Sequence, residues 1–256
     1  MTKMKMFNQS LCVLIALLLS YCNGAVDIEK YLKVCARNSP DVNDCLVDAV
    51  QYGISVMAAG IKDLGVPPVD PYVQKELRLE YKNNQVKVKM DNRDIIVAGL
   101  KASTVRDARL RADEDSFHLE VDMYTPAVNL SGKYEGGGSY NALNITARGT
   151  YHTEMTDLVY TWKLDGKPET INNDVYIRIK SFYMRPDVSN MNVQLTNDAP
   201  ESKELTALGV RLVNENWKIL YRELLPFAMH NWNKIGTKVA NKIFLKVPYN
   251  QLFPNN

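Results

Sequence analysis

The chain is poor in the residues from which catalytic and metal sites are built. It has three histidines, His118, His152 and His230, and four cysteines among 256 residues. His118 and Glu120 lie two positions apart in a run with strand periodicity, as do His152 and Glu154, so each pair shares a polar strand face and reads as solvated charge. None of the three has the partnered nucleophile or second ligand that covalent or metal chemistry needs. No G-x-S-x-G elbow, H-E-x-x-H helix or P-loop occurs in the sequence. Gly136-Gly137-Gly138 reads as a strand connection, without the helix start that a phosphate cradle uses. The expectation is a protein that is not an enzyme, with no catalytic residue, no metal and no cofactor.

An excess of charge is missing as well. Lys3 and Lys5 precede an uncharged apolar run from Leu11 to Leu19, and Cys22, Gly24 and Ala25 offer small residues for cleavage. This is the pattern of a secretory signal peptide over residues 1–24, cut near residues 22–25. The run is shorter than the ~20 residues of a spanning helix and no second run of that length follows, so stable membrane insertion is not expected. Without the leader's two lysines, 29 basic residues face 29 acidic ones. Neutrality argues against nucleic acid or an anionic lipid surface as the main partner, since both call for a basic patch. Residues 25–256 read as a secreted, extracellular single domain with a sizeable core, and a monomer is the expected state.

Only Cys35 and Cys45 lie outside the leader. In a secreted chain such a pair reads as one disulfide, and closing a loop of about ten residues stabilises by roughly 3 kcal/mol in the chain-entropy account. Two cysteines without nearby histidines make a poor zinc site. Asp27 is placed to cap a short helix running to about Val34. Asp44 is placed to cap a second, in which Leu46, Val47, Val50, Ile54, Met57, Ala58 and Ile61 recur at helical spacing before Gly65 and Pro67-Pro68.

From Glu76 to Leu195 the period becomes two. Val86/Val88/Met90, Phe117/Leu119/Val121/Met123, Val128/Leu130, Leu143/Ile145, Tyr160/Trp162/Leu164 and Val175/Ile177/Ile179 alternate with polar neighbours, which predicts an antiparallel sheet with one apolar face. The three glycines and Asp165-Gly166 read as its turns. Two glycosylation sequons, Asn129-Leu130-Ser131 and Asn144-Ile145-Thr146, place their asparagines opposite the apolar positions, where a glycan needs them.

Glu201 to Val247 reads as one helix, a rod of at least roughly 60 Å at 1.5 Å per residue. Its flanks are amphipathic, with Leu205, Leu208, Leu212 and Ile219 opposite Arg211, Asn214, Glu215 and Lys218. Its middle, from Leu220 to Trp232, is apolar on nearly every side, and Pro226 predicts a kink there. Such a helix must be buried by something, and the sheet is the available wrapper. The fold class is therefore α+β: a long C-terminal helix wrapped by a strongly curved antiparallel sheet, with two short N-terminal helices tied by the disulfide.

One rod fills a curled sheet poorly at its ends. With tyrosines outnumbering phenylalanines 14 to 6, the interior gains polar tips on apolar bodies, the mixture that suits an amphipathic ligand. The parity of strand and helix positions nominates Met57 and Ile61 near one mouth, Val121, Met123, Leu143, Ile145, Tyr160, Trp162 and Ile177 from the sheet, and Leu220, Leu224, Phe227 and Trp232 from the helix. The alternative is that the interior is only core and the chain acts by binding a receptor or tissue surface.

Two segments carry a recognisable pattern. One is Tyr31 to Pro71, with CARNSPDVNDC, a helix and GIKDLGVPPVDP. The other is LGVRLVNENWKILYRELLP ending in KIFLKVPYNQLFP. Over essentially the whole chain beyond the leader these resemble the takeout and juvenile hormone binding protein family of insects. The resemblance implies a tubular lipid-binding fold with an internal tunnel for juvenile hormone or another small hydrophobic molecule. It also implies no cofactor chemistry, and for takeout-like members a link to feeding, circadian rhythm and chemosensory tissue. The haemolymph carriers of that family have a second disulfide that this chain lacks the cysteines to make, which sets it nearer the takeout-like members.

Overall fold

The period-two stretch forms one antiparallel sheet in the computed structural model, which describes residues 28–82, 86–140, 143–198 and 203–255. Helix α1 (Val42–Ala58) precedes strands β1 (Tyr72–Lys82), β2 (Val86–Ala98), β3 (Thr104–Ala112), β4 (Phe117–Tyr140), β5 (Leu143–Ile171), β6 (Asp174–Tyr183) and β7 (Asn190–Leu195). Helices α2 (Lys203–Glu215), α3 (Trp217–Phe244) and α4 (Tyr249–Leu252) follow. The leader, the Asn144 side chain and those of Leu143 and Ile145 lie outside the described residues.

The long hairpin of β4 and β5 is the spine, paired from Phe117↔Gly166 to Tyr140↔Leu143. Each strand outruns any one neighbour and so takes two: β3 and then β2 along β4, β7 and then β6 along β5, with β1 outside β2. Gly136–Gly138 and Asp165-Gly166, expected as turns, lie inside these continuous strands. The β5–β6 turn is instead Asn172-Asn173, both at positive φ, a conformation that asparagine tolerates. The glycines permit curvature. A Cβ at Gly136 would sit 2.4 Å from the Lys89 carbonyl oxygen, and one at Gly149 would sit 2.2 Å from that of Thr196. Backbones that close leave room for hydrogen alone, and the sheet curls into a half-barrel.

Buried positions on β4 run Phe117, Leu119, Val121, Met123, Thr125 and then resume at Val128. Across the ladder, Leu164, Tyr160 and Leu158 give way to Thr153, with Asp157 at φ 52° absorbing the slip. Both strands change parity at one level, so the concave face continues through it.

The C-terminal helix breaks at Asn216 and not at Pro226, which lies within α3. A row of short polar side chains fastens it to the sheet edge. Asn241 accepts from the Ile179 amide at 2.9 Å and donates to its carbonyl at 2.8 Å. Thr237 Oγ1 accepts from Phe182 N–H (3.0 Å) and Asn233 Oδ1 from Met184 N–H (3.1 Å). On α2, Asn214 makes the same paired contact with Val193, at 2.8 and 2.9 Å. Asn233, Thr237 and Asn241 recur every fourth residue and satisfy strand-edge groups that would otherwise face water or another chain.

At one end the interior is solid. Phe117 packs its ring 5.3 Å from Phe244 and 5.4 Å from Phe253. Val247, Tyr249, Leu252 and Phe253 are buried around it. The Cys35–Cys45 disulfide ties the N-terminal loop to α1, and this loop presents Arg37 to the chain's end. The Arg37 guanidinium donates to the Phe253 carbonyl at 2.7 Å and to Asn250 Oδ1 at 2.9 Å, and lies over the Tyr249 ring. Helix α1 begins at Val42 with Asp41 as N-cap, one turn earlier than the expected Asp44. Asp44 falls in the first turn, where its charge suits the helix dipole. The segment after Asp27 forms a single 3₁₀ turn, Ile28–Lys30.

On the convex side, His118 is part of a network wider than the expected pair with Glu120. Its ring nitrogens lie 2.6 Å from Asp165 and 3.3 Å from Glu120, and Glu120 also accepts from Lys163 (2.9 Å) and Arg109 (3.1 Å). The Lys163 contact, then those of Arg109 and His118, hold the Glu120 carboxyl down from 4.5 to about 2.

Two outcomes follow. Asn241→Ala leaves both Ile179 backbone groups without partners and lowers unfolding free energy by about 2–4 kcal/mol, read as a fall in the urea midpoint. Because the folded pKa of Glu120 lies below the unfolded one, its contribution is complete above 4.5 and is lost as pH falls through about 2. Glu120→Gln should therefore flatten the acid limb of the stability profile in that window; an unchanged limb would contradict the assignment.

Candidate ligand-binding trough

The concave face divides at the parity slip into a filled half and an open half. In the filled half Ile61 and Val121 are 1% exposed, and Met123 and Ile177 have no exposed surface. Side chains enclose them on all sides, so these four expected ligand contacts are packing. The same core holds Met57, half-buried against it. Tyr160 is buried too, and its hydroxyl is engaged 2.8 Å from Thr125 Oγ1, itself 2.7 Å from Ser103 Oγ. Trp162 sits half-buried between the rings of Tyr160 and Phe182, at 6.4 and 6.2 Å.

The open half was less legible. Cross-strand partners set one continuous surface there: Val128, Met155 and Met191 in one row, Leu130, Thr153 and Val193 in the next, then Tyr151 beside Leu195. Leu77 and Leu79 extend it on β1, opposite Asn92 and Met90. Most of these apolar side chains are only half-buried, a trough floor with surface to spare. Its aromatic members keep polar tips. Tyr134 reaches past Gly149 to donate to the Thr196 carbonyl at 2.8 Å. The Tyr151 hydroxyl lies over Gly132, where a Cβ would come within 2.7 Å of it, and it makes no hydrogen bond among the described residues. Burial raises the pKa of Tyr151, so the phenol stays a neutral donor.

The helix residues divide likewise. Leu220 is half-buried, and Trp232 is half-buried with its indole N–H donating to the Met184 carbonyl at 2.9 Å. Leu224 is 49% and Phe227 40% exposed, contrary to the expectation that the sheet surrounds the helix middle. Leu205, Leu208, Leu212 and Ile219 are exposed as well, at 43–62%. The reason is the polar row on the helices. Asn214, assigned from sequence to the solvent face, is the side that meets the sheet, and this turns the leucines away. On the far side a hydrogen bond of 3.1 Å from Asn231 to Gln74 ties α3 to β1.

Asn129 lies on the face opposite Val128 and Leu130, as expected, and is half-buried. A second hollow, about 510 Å³, lies outside the trough between the end of β6 and α3. Tyr221 borders this region; burial, with Asp187 nearby, pushes its phenol up to about 12, and it donates to the Pro186 carbonyl at 2.8 Å. Among the described residues no helix is long and apolar enough to cross a membrane.

Known proteins share this architecture. The crystal structure of Epiphyas postvittana Takeout 1 superposes with a TM-score of 0.72 over 87% of this chain and 99% of that one, at 20% identity, which establishes likeness of fold. The circadian clock-controlled protein daywake of Drosophila yakuba is 21% identical over 257 residues, covering 98% of this chain and 99% of its own. Daywake of Drosophila melanogaster is 19% identical over 243 residues, covering 92% and 94%. The family model described as haemolymph juvenile hormone binding protein matches residues 11–254, and the chain belongs to that family.

Proposed function

We propose that the protein is a secreted carrier that holds one small hydrophobic molecule, such as a terpenoid or fatty acid, in the open half of the concave face. The observation that carries this reading is the trough itself: apolar side chains from β1, β4, β5 and β7 meet on one surface and most stay half-buried, and among the described residues the Tyr151 hydroxyl in their midst has no hydrogen-bond partner. A ligand burying some 400 Å² of apolar surface gains roughly 10 kcal/mol gross, which leaves micromolar to nanomolar affinity after ordering costs. Tyr151 would donate to the ligand's one polar group. Among the helix residues, Leu220, Leu224 and Phe227 retain surface to contribute. Membership in the family supports binding over catalysis, and the daywake relatives, whose names state clock control, support a role in rhythmic physiology.

A second reading rests on a separate observation. Leu205, Leu208, Leu212 and Ile219 form an exposed apolar row, the kind of surface that a receptor or other protein partner covers.

Native mass spectrometry of the secreted protein should show about one apolar molecule per chain, released on denaturation. An empty protein that also fails to take up juvenile hormone or long-chain lipid would overturn the carrier reading. Binding of a naphthylamine dye locates the site. Leu130→Glu should weaken it by at least about tenfold, because a charge enters an apolar contact surface. Met123→Ala should cost about 2–5 kcal/mol of stability while leaving dye affinity nearly unchanged. Should Leu208→Lys with Leu212→Lys abolish capture of a tissue receptor without changing dye binding, the leucine row belongs to the second reading.

A further inference from the structure

The hollow on the outer seam has a chemistry different from the trough. Arg185, just beyond β6, and Arg222 and His230 of α3 all line it, and no carboxylate does. Arg222, Met229, His230 and Asn233 fall at helical steps that share one face of α3. Neither arginine makes an ion pair within 4 Å among the described residues. Of the acids nearest in sequence, Glu223 is about 100° round the helix from Arg222, and Asp187 acts on Tyr221 without lining the hollow or forming an ion pair with either arginine. The amide of Asn233 spends its oxygen on Met184 N–H, which leaves its NH₂ group uncommitted. Leu225 and Met229 give the hollow an apolar wall.

The helix as a whole is predominantly basic. Helix α3 carries Lys218, Arg222, Lys234, Lys238 and Lys242 against a single acid, Glu223. At 3.6 residues per turn Lys234, Lys238 and Lys242 lie on other sides of the helix from Arg222, so the charge of the hollow is that of its own lining, Arg185 and Arg222 with His230. Both guanidiniums line one hollow, so an oxyanion seated in it would accept charge-assisted hydrogen bonds from the two arginines. Arginine's planar fork suits phosphate in particular, since each can donate two parallel hydrogen bonds.

We infer that the outer seam between the end of β6 and α3 is a binding site for a phosphate-type oxyanion, held by Arg185 and Arg222 with His230 beside them. Leu225 and Met229 accommodate the first methylenes when the phosphate heads an alkyl chain. The site stands apart from the trough and does not depend on the carrier reading.

Calorimetric titration of the full secreted chain with inorganic phosphate, dodecyl phosphate and dodecanol tests this. Saturable binding of inorganic phosphate that the double variant R185Q/R222Q loses identifies a site for the free anion. Binding of dodecyl phosphate alone, weakened by at least about tenfold in the same variant while dodecanol is unaffected, identifies a site for a lipid headgroup. Both outcomes support the site, and raising salt from 0.05 to 0.3 M should weaken either as screening grows (a rough range set by the Debye length). Equal affinity for dodecyl phosphate and dodecanol, or a phosphate preference that survives R185Q/R222Q, overturns it. The single variant Arg222→Gln provides the same comparison if the double variant does not fold, and unchanged dye binding in the trough shows that the two sites are separate.

Discussion

The arrangement depends on a seam in which helix side chains stand in for a missing strand. A curled sheet that does not close leaves edge amides and carbonyls unpaired, a cost of about 1–3 kcal/mol for each group that is also shut away from water. Here Asn214, Asn233, Thr237 and Asn241 take that role for β7 and the segment from Ile179 to Met184. The amide side chain is suited to it, because its oxygen and NH₂ reproduce the donor and acceptor of a neighbouring strand. This choice fixes which face of the helices looks at the sheet. It thereby also fixes which face does not, and the exposed leucine row is a consequence of the seam.

The second constraint is curvature. Gly136 and Gly149 let neighbouring backbones approach within distances that no Cβ permits, and the parity change at Asp157 shifts the inward set by one residue at the middle of the spine. Between them they make a concave surface with two characters. One half is closed by α1, the C-terminal turn of α3 and the aromatic cluster of Phe117, Phe244 and Phe253, all clamped through Arg37. Beside the other half lie α2 and α3 up to its Asn231 contact with β1, and its floor keeps accessible apolar surface. A packed core and accessible apolar surface thus lie at opposite ends of one sheet.

Charge follows a similar division. The convex face pairs its charges densely, as around Glu120, whereas the outer seam holds two arginines with no acid among its lining residues. A net charge near zero conceals this contrast, because it averages over faces that the fold separates. Neutral composition therefore says little about whether one helix can present a cationic site.

Much of the architecture could be read directly from residue order. Strand alternation, the inward positions Phe117 to Met123 and Tyr160 to Leu164, the Cys35–Cys45 disulfide and a C-terminal helix against a curved sheet are local or pattern-encoded, since parity and periodicity follow from backbone geometry alone. The glycines misled, because a glycine signals backbone freedom without saying whether a turn or a close approach uses it. Asn214 misled in a similar way: an amide looks like a solvent-facing residue until a strand edge is placed beside it. Ile61, Val121, Met123 and Ile177 were identified as interior, but packing against interior neighbours or lining a trough is decided by what lies across the lumen. Sequence determined which side chains of the central strands point inward; only the tertiary structure decided which face of the helices meets the sheet and which inward side chains are packed over, because filling an interior depends on elements distant in the chain arriving at the same place.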